Sequence, residues 1–171
     1  MGRQTKSTIY RSRWIWVCQG LARPQHFMAM TASGKNANAS KPALGAVLLI
    51  DDEKPLLELF AEALAPYFEI TLATNTREAG FLMHKKTFKV VVCDHLMPGG
   101  NGLSFLVDAR EEYPNTQRIL VTGYMKPEML LRSVNEAALY RYLLKPVSLP
   151  ELIKTVQEAA KLHDSSVAVS G

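Results

Sequence analysis

Residues 46–50 read AVLLI and residues 89–93 read KVVVC. Neither run alternates apolar with polar side chains, so neither suits a strand with one wet face. Such runs need cover on both sides. The intervening segments provide it, because their apolar residues recur at helical spacing. Residues 54–67, KPLLELFAEALAPY, carry Pro55 near the start, where a helix tolerates it. Residues 75–86 open on Asn75 with Glu78 three positions on, a capping-box arrangement. Residues 101–113 are amphipathic and stop before Pro114, residues 126–139 begin with Pro127, and residues 148–163 begin with Ser148 and Glu151 at cap spacing. Residues 69–73, 117–122 and 139–144 read as three further strands.

Five strands alternating with five helices predict a (βα)5 chain. Right-handed crossovers leave few ways to arrange it. The expected fold is α/β: a doubly wound, flavodoxin-like three-layer sandwich with a parallel sheet of order 2-1-3-4-5. Such a sheet takes ligands outside the carboxyl ends of its strands, where the winding reverses between the first and third. The 171 residues suffice for one such domain, expected over residues 45–164. A flexible tail is expected at 165–171.

Residues 1–44 differ. They hold seven basic residues and no acidic ones, whereas the rest holds 13 basic and 16 acidic residues. The net charge of +4 therefore describes a basic leader on a mildly acidic domain, and a nucleic-acid partner is not expected. The leader shows no sustained period, and residues 33–43 have linker composition, so it is expected to be disordered. Four readings stand for it: a secretory signal, a transit peptide, a true start at Met28 or Met30, or a functional arm. No apolar run is long enough to span a bilayer, and Cys18 and Cys93 do not suggest a disulfide framework. A cytoplasmic protein is expected.

The polar residues fall at strand ends. Asp51, Asp52 and Glu53 follow the first strand, Asp94 the third, Thr122 the fourth and Lys145 the fifth. In the expected order Asp51, Asp52 and Asp94 converge on one crevice. Two carboxylates about 4 Å apart repel by roughly 4 kcal/mol at an effective dielectric near 20. Such a group calls for a cation, an ammonium or protonation. A hard divalent ion with oxygen ligands answers this, and Mg²⁺ suits phosphate chemistry. A carboxylate can attack phosphorus and form an aspartyl-phosphate. His95 adjoins Asp94, but neighbours at a strand end usually point apart, so a catalytic role is not expected of it.

Each residue also has a structural alternative. Asp51 and Asp52 can cap a helix, Asp94 and Thr122 can sit in turns, Lys145 can be solvated, and Tyr142 can simply pack. All of these would have to hold together to empty the crevice of function.

LLIDDE, VVVCDHLMPGGNGL, LVTGY and YLLKP, in this order, resemble the marks of the response-regulator receiver domain of two-component signalling. The resemblance implies that Asp94 is the phosphoacceptor. It implies that Asp51, Asp52, Asp94 and the backbone carbonyl of Leu96 hold Mg²⁺, with Asp52 and Asp94 direct ligands and Asp51 acting partly through water. Thr122 and Lys145 would bind phosphoryl oxygens, Tyr142 would be the switch aromatic, and Lys145-Pro146 would be cis. The donor would be a histidine kinase or a histidine phosphotransfer protein. Output would pass through the face of the fourth helix, fifth strand and fifth helix, to an unidentified partner or a homodimer. Only eight residues follow His163, so a stand-alone receiver is expected, not an enzyme beyond slow self-phosphorylation and self-dephosphorylation. Gly100 and Asn101 depart from the family pattern, which commonly has an apolar residue and Asp there. Leu96 and Tyr124 would flank the route of attacking water and slow dephosphorylation. An aspartyl-phosphate phosphatase is the enzymatic rival, but Leu96 stands where its second acid belongs. A degenerate receiver that only binds partners is the other rival. A dinucleotide binder is the third rival, but DDEKP follows the first strand where a glycine-rich loop would be needed.

Overall fold

A computed structural model of the chain describes residues 44–98, 100–123 and 135–170. In order they form β1 (Ala46–Ile50), α1 (Lys54–Leu64), β2 (Glu69–Ala73), α2 (Thr76–Lys85), β3 (Val90–Asp94), β4 (Leu96–Met97), β5 (Gly100–Asn101), α3 (Gly102–Glu112), β6 (Gln117–Thr122), β7 (Arg141–Leu144) and a C-terminal helix (Leu149–Ser170). Five strands make one sheet of order β2-β1-β3-β6-β7, with every neighbouring pair parallel. This is the doubly wound order expected from the sequence.

The unbroken apolar runs behave as their composition requires. All five residues of β1 and of β3 are buried. Alternate residues feed two cores. Leu48, Ile50, Val91, Cys93 and Leu120 meet Ala79 and Met83 of α2 and Leu106 and Ala109 of α3. Val47, Leu49, Val92, Ile119, Val121 and Leu143 meet Leu57, Phe60 and Leu64 of α1 and Leu152, Val156 and Ala159 of the C-terminal helix. Each fully buried side chain of this kind contributes about 1.5–3 kcal/mol.

The helix starts follow local chemistry. Asn75 Oδ1 accepts from the Glu78 N–H at 2.8 Å, while Glu78 Oε2 accepts from the Thr74 N–H at 2.8 Å. Asn101 Oδ1 accepts from the Ser104 N–H at 3.2 Å, and Ser148 Oγ from the Glu151 N–H at 3.4 Å.

Three details differ from the sequence expectations. The last helix runs to Ser170 where a flexible tail was expected from 165. There Lys89 pairs with Asp164 at 2.6 Å, and the hydroxyls of Ser165 and Ser166 donate to the carbonyls of Lys161 and Leu162, four residues back on the same helix. A two-residue hairpin, β4 with β5, occupies the turn after Asp94. The last strand begins at Arg141, not at 139. Most of the expected fourth helix lies outside the described residues. Its end at 135–137 is helical.

That end is held by two arginines. Arg110 Nη1 donates to the carbonyls of Asn135 and Glu136 at 3.1 and 2.9 Å. Arg118, buried on β6, donates to the carbonyls of Ala137 at 2.8 Å, Thr116 at 2.6 Å and Ala138 at 3.3 Å. Cations suit the carbonyl end of a helix, and each carbonyl satisfied here would be costly to bury alone.

Gly102 sets how closely α3 approaches the strand bearing Asp94. Its N–H donates to the His95 carbonyl at 2.9 Å. A Cβ at this position would lie 1.8 Å from the Asp94 carbonyl oxygen and 2.7 Å from Cys93 Sγ. Gly80, inside α2, has open space where its Cβ would stand. Gly80→Ala is therefore expected to raise stability by about 0.5–1 kcal/mol, because alanine favours the helix interior. Gly102→Ala is expected to lower it. Urea midpoints of the two variants and the parent chain measure both signs.

Candidate functional site

The carboxyl ends of β1 and β3 adjoin at the switch point of the sheet, and β7 lies at the sheet's edge beyond β6. Lys145, just past β7, joins them. Its Nζ lies 2.7 Å from Asp94 Oδ1, 3.0 Å from Asp51 Oδ2 and 3.6 Å from Glu53 Oε1. Asp51 and Asp94 are only 4% and 6% exposed, so their charges are matched at short range rather than screened by water. Burial opposes the charge on Lys145. Its hydrogen bonds to Asp94 and Asp51, and their charges, outweigh burial and raise its pKa above the ordinary lysine value.

The remaining oxygens of the two acids are also engaged. Asp94 Oδ2 accepts from the Leu96 N–H at 2.9 Å, and Asp51 Oδ1 from the Glu53 N–H at 2.8 Å. Neither Asp51 nor Asp52 caps α1, whose N-cap is Glu53 without a side-chain cap bond. The Lys145-Pro146 peptide is cis, and the Lys145 N–H donates to the Thr122 carbonyl at 2.8 Å.

The sequence-predicted residues do not all gather in one place. Asp51, Asp94 and Lys145 form a contact trio. Asp52, expected as a direct metal ligand, is exposed to solvent. Leu96 meets Asp94 through its N–H, and its side chain is 66% exposed. Tyr142 is partly exposed on β7. Thr122 is fully buried at the end of β6, and its hydroxyl lies 3.3 Å from His95 Nδ1. Tyr124 lies outside the described residues.

Sequence reasoning missed the His95 contact. In the β3–β6 register Asp94 pairs with Val121, and the His95 N–H donates to the Val121 carbonyl at 2.8 Å. His95 and Thr122 therefore stand side by side on one face of the sheet. Burial lowers the pKa of His95 against the pull of the Asp94 charge. Cys93 is a free, buried thiol. Burial first, then the charges of Asp94 and Asp51, push its pKa well up, so it stays protonated and inert.

A divalent cation finds suitable chemistry here. Asp51, Asp52 and Asp94 offer oxygen donors alone, the set a hard ion such as Mg²⁺ prefers. Among the described residues no three acidic, histidine or cysteine side chains stand ready-made to chelate. The bridge between Asp51 and Asp94 is Lys145 itself.

A doubly wound parallel sheet with paired acids and a lysine at its carboxyl edge defines a receiver-type α/β domain. Residues 47–157 match the family described as the response regulator receiver domain, and the chain belongs to that family. It is 34% identical over 119 residues to the hydrogenase transcriptional regulatory protein HoxA of Bradyrhizobium diazoefficiens, covering 70% of this chain and 24% of that protein. It is 32% identical over 122 residues to the regulatory protein AtoC of Escherichia coli, covering 71% and 26%. The chain thus spans about a quarter of the length of these curated relatives. Among solved structures, the signal receiver domain of an HD domain-containing protein from Pseudomonas fluorescens superposes with a TM-score of 0.68 at 26% identity, over 72% of this chain and 92% of that one. A CheY-like receiver domain protein from Methanospirillum hungatei gives 0.68 at 25% identity, over 72% and 99%.

Lys145→Met would leave two buried carboxylates unmatched. It is expected to cost on the order of 3 kcal/mol at pH 7. Because the folded state raises the lysine pKa, the contribution is fully present below the unfolded value, about 10.4. It is lost only as pH climbs through the higher folded value. Denaturant titrations of both chains from pH 7 to 11 should show a constant gap that narrows at the alkaline end.

Proposed function

We propose that Asp94 accepts a phosphoryl group from a histidine kinase or a histidine phosphotransfer protein. The supporting observation is the shared ammonium: Lys145 touches both Asp94 and Asp51, within reach of any group added to Asp94. The Leu96 N–H fixes Oδ2, so Oδ1, whose partner is a flexible side chain, is the nucleophile. Its new bond to phosphorus forms as the bond from phosphorus to the donor imidazole nitrogen breaks, and the imidazole departs with the electron pair. Lys145 follows the charge from the carboxylate to a phosphoryl oxygen, and the Thr122 hydroxyl donates to another. Asp51, Asp52, Asp94 and the Leu96 carbonyl would hold Mg²⁺, which when bound neutralises charge on the transferring group.

Phosphorylation then shifts a pre-existing equilibrium. Tyr142 and Leu144 on β7 are exposed, and would belong to the face expected to carry the signal. The receiver would act through that face on a partner protein, an attached domain or a second copy. The exposed Leu96 supplies no acid-base group, which favours a long-lived aspartyl-phosphate over phosphatase turnover. Among the described residues no helix is long and apolar enough to cross a membrane. Phosphoryl transfer from an ATP-fed histidine kinase would take place in the cytoplasm.

Incubation with Mg²⁺ and acetyl phosphate should add one phosphoryl mass to the parent chain and none to Asp94→Asn. Chelation of the metal should abolish the adduct. An adduct that persists on Asp94→Asn, or decays within seconds, would contradict the assignment or the slow hydrolysis respectively.

A further inference from the structure

The acid–lysine trio and Thr122 belong to opposite faces of the sheet. Asp94 continues the parity of Val90 and Val92, which pack toward α1 and the C-terminal helix. Thr122 continues the parity of Leu120, which packs toward α2 and α3. To serve a phosphoryl group on Asp94, the Thr122 hydroxyl must turn across the strand end. On its own side it meets His95 Nδ1 at 3.3 Å. The His95 backbone is pinned on both sides, by its N–H to the Val121 carbonyl and by its carbonyl to the Gly102 N–H. His95 as a whole is 7% exposed, so its side chain has little room to follow the hydroxyl.

We infer that His95 is a positioning residue for Thr122: it holds the hydroxyl on the α3 side, and phosphorylation of Asp94 requires that this hydrogen bond be exchanged for one to a phosphoryl oxygen. The inference rests on Asp94 being the phosphoacceptor. His95 then opposes the phosphorylated arrangement without touching the reacting atoms. One net hydrogen bond corresponds to about a two- to tenfold effect on the balance.

The test is a double-mutant cycle on the full chain, reading the rate of Asp94 phosphorylation by intact mass with Mg²⁺ and acetyl phosphate. His95→Phe keeps the ring and removes the bond, and should speed phosphorylation about two- to tenfold. In a Thr122→Val background the same exchange should change the rate less than about twofold, since no hydroxyl remains to be held. The amides divide the two ring nitrogens. His95→Asn places a polar atom near the Nδ1 position and should stay near the parent rate, whereas His95→Gln reaches toward Nε2 and should resemble His95→Phe. Should His95→Phe fail to fold, the Asn and Gln pair carries the comparison. An equal acceleration with and without the Thr122 hydroxyl would overturn the positioning role, as would identical rates for Asn and Gln. A parent chain that takes no phosphoryl group overturns the phosphoacceptor reading and this inference with it. A parent chain that is phosphorylated, with no coupling in the cycle, overturns the inference alone.

Discussion

Two carboxylates buried at adjacent strand ends are tolerable only because one ammonium reaches both. Lys145 touches Asp94 at 2.7 Å and Asp51 at 3.0 Å, from the end of a strand three places away from β1 in the sheet, and 94 positions from Asp51 in sequence. The sheet order makes this meeting possible. β1 and β3 are neighbours, and β6 carries β7 beside them. Without the lysine the acids would have to protonate, take up a cation or move apart. The same charge balance holds both carboxylates at the carboxyl edge of the sheet, beside one ammonium.

Packing makes this arrangement rigid where rigidity matters. Asp94 is clamped through the Leu96 N–H on one oxygen and Lys145 on the other. Behind it, α3 begins at a residue without a side chain and so lies against the Asp94 backbone. At the far end of the sheet, Arg118 and Arg110 gather the carbonyls of residues 135–138. The segment 135–138 is thereby tied to α3 and β6 through backbone carbonyls.

Much of the fold was legible because it depends on local pattern. Unbroken apolar runs meant two covered faces, and β1 and β3 are wholly buried. Asn75 and Ser148 marked helix starts, since a cap bond spans only three residues. The candidate site was legible as a set of strand ends, and Asp51, Asp94 and Lys145 meet as expected. Elsewhere local pattern carried no signal. The β4–β5 hairpin is two residues long on each side, too short to show a period. Arg118 sits inside an apolar strand, and its partners are backbone carbonyls that no side-chain pattern announces. Near the end of the last helix Asp164 meets Lys89, 75 positions away in sequence, a contact no local pattern announces.

Asp52 and His95 show where the division falls. By itself the sequence determined the alternation of buried strands with amphipathic helices, and hence which residues stand at the sheet's carboxyl edge, because burial and periodicity act over a few neighbours. Only the tertiary structure decided which of two adjacent aspartates turns inward beside the lysine, and that His95 turns to Thr122 rather than away. Those choices depend on strand register: a shift of one residue exchanges the two faces of the sheet.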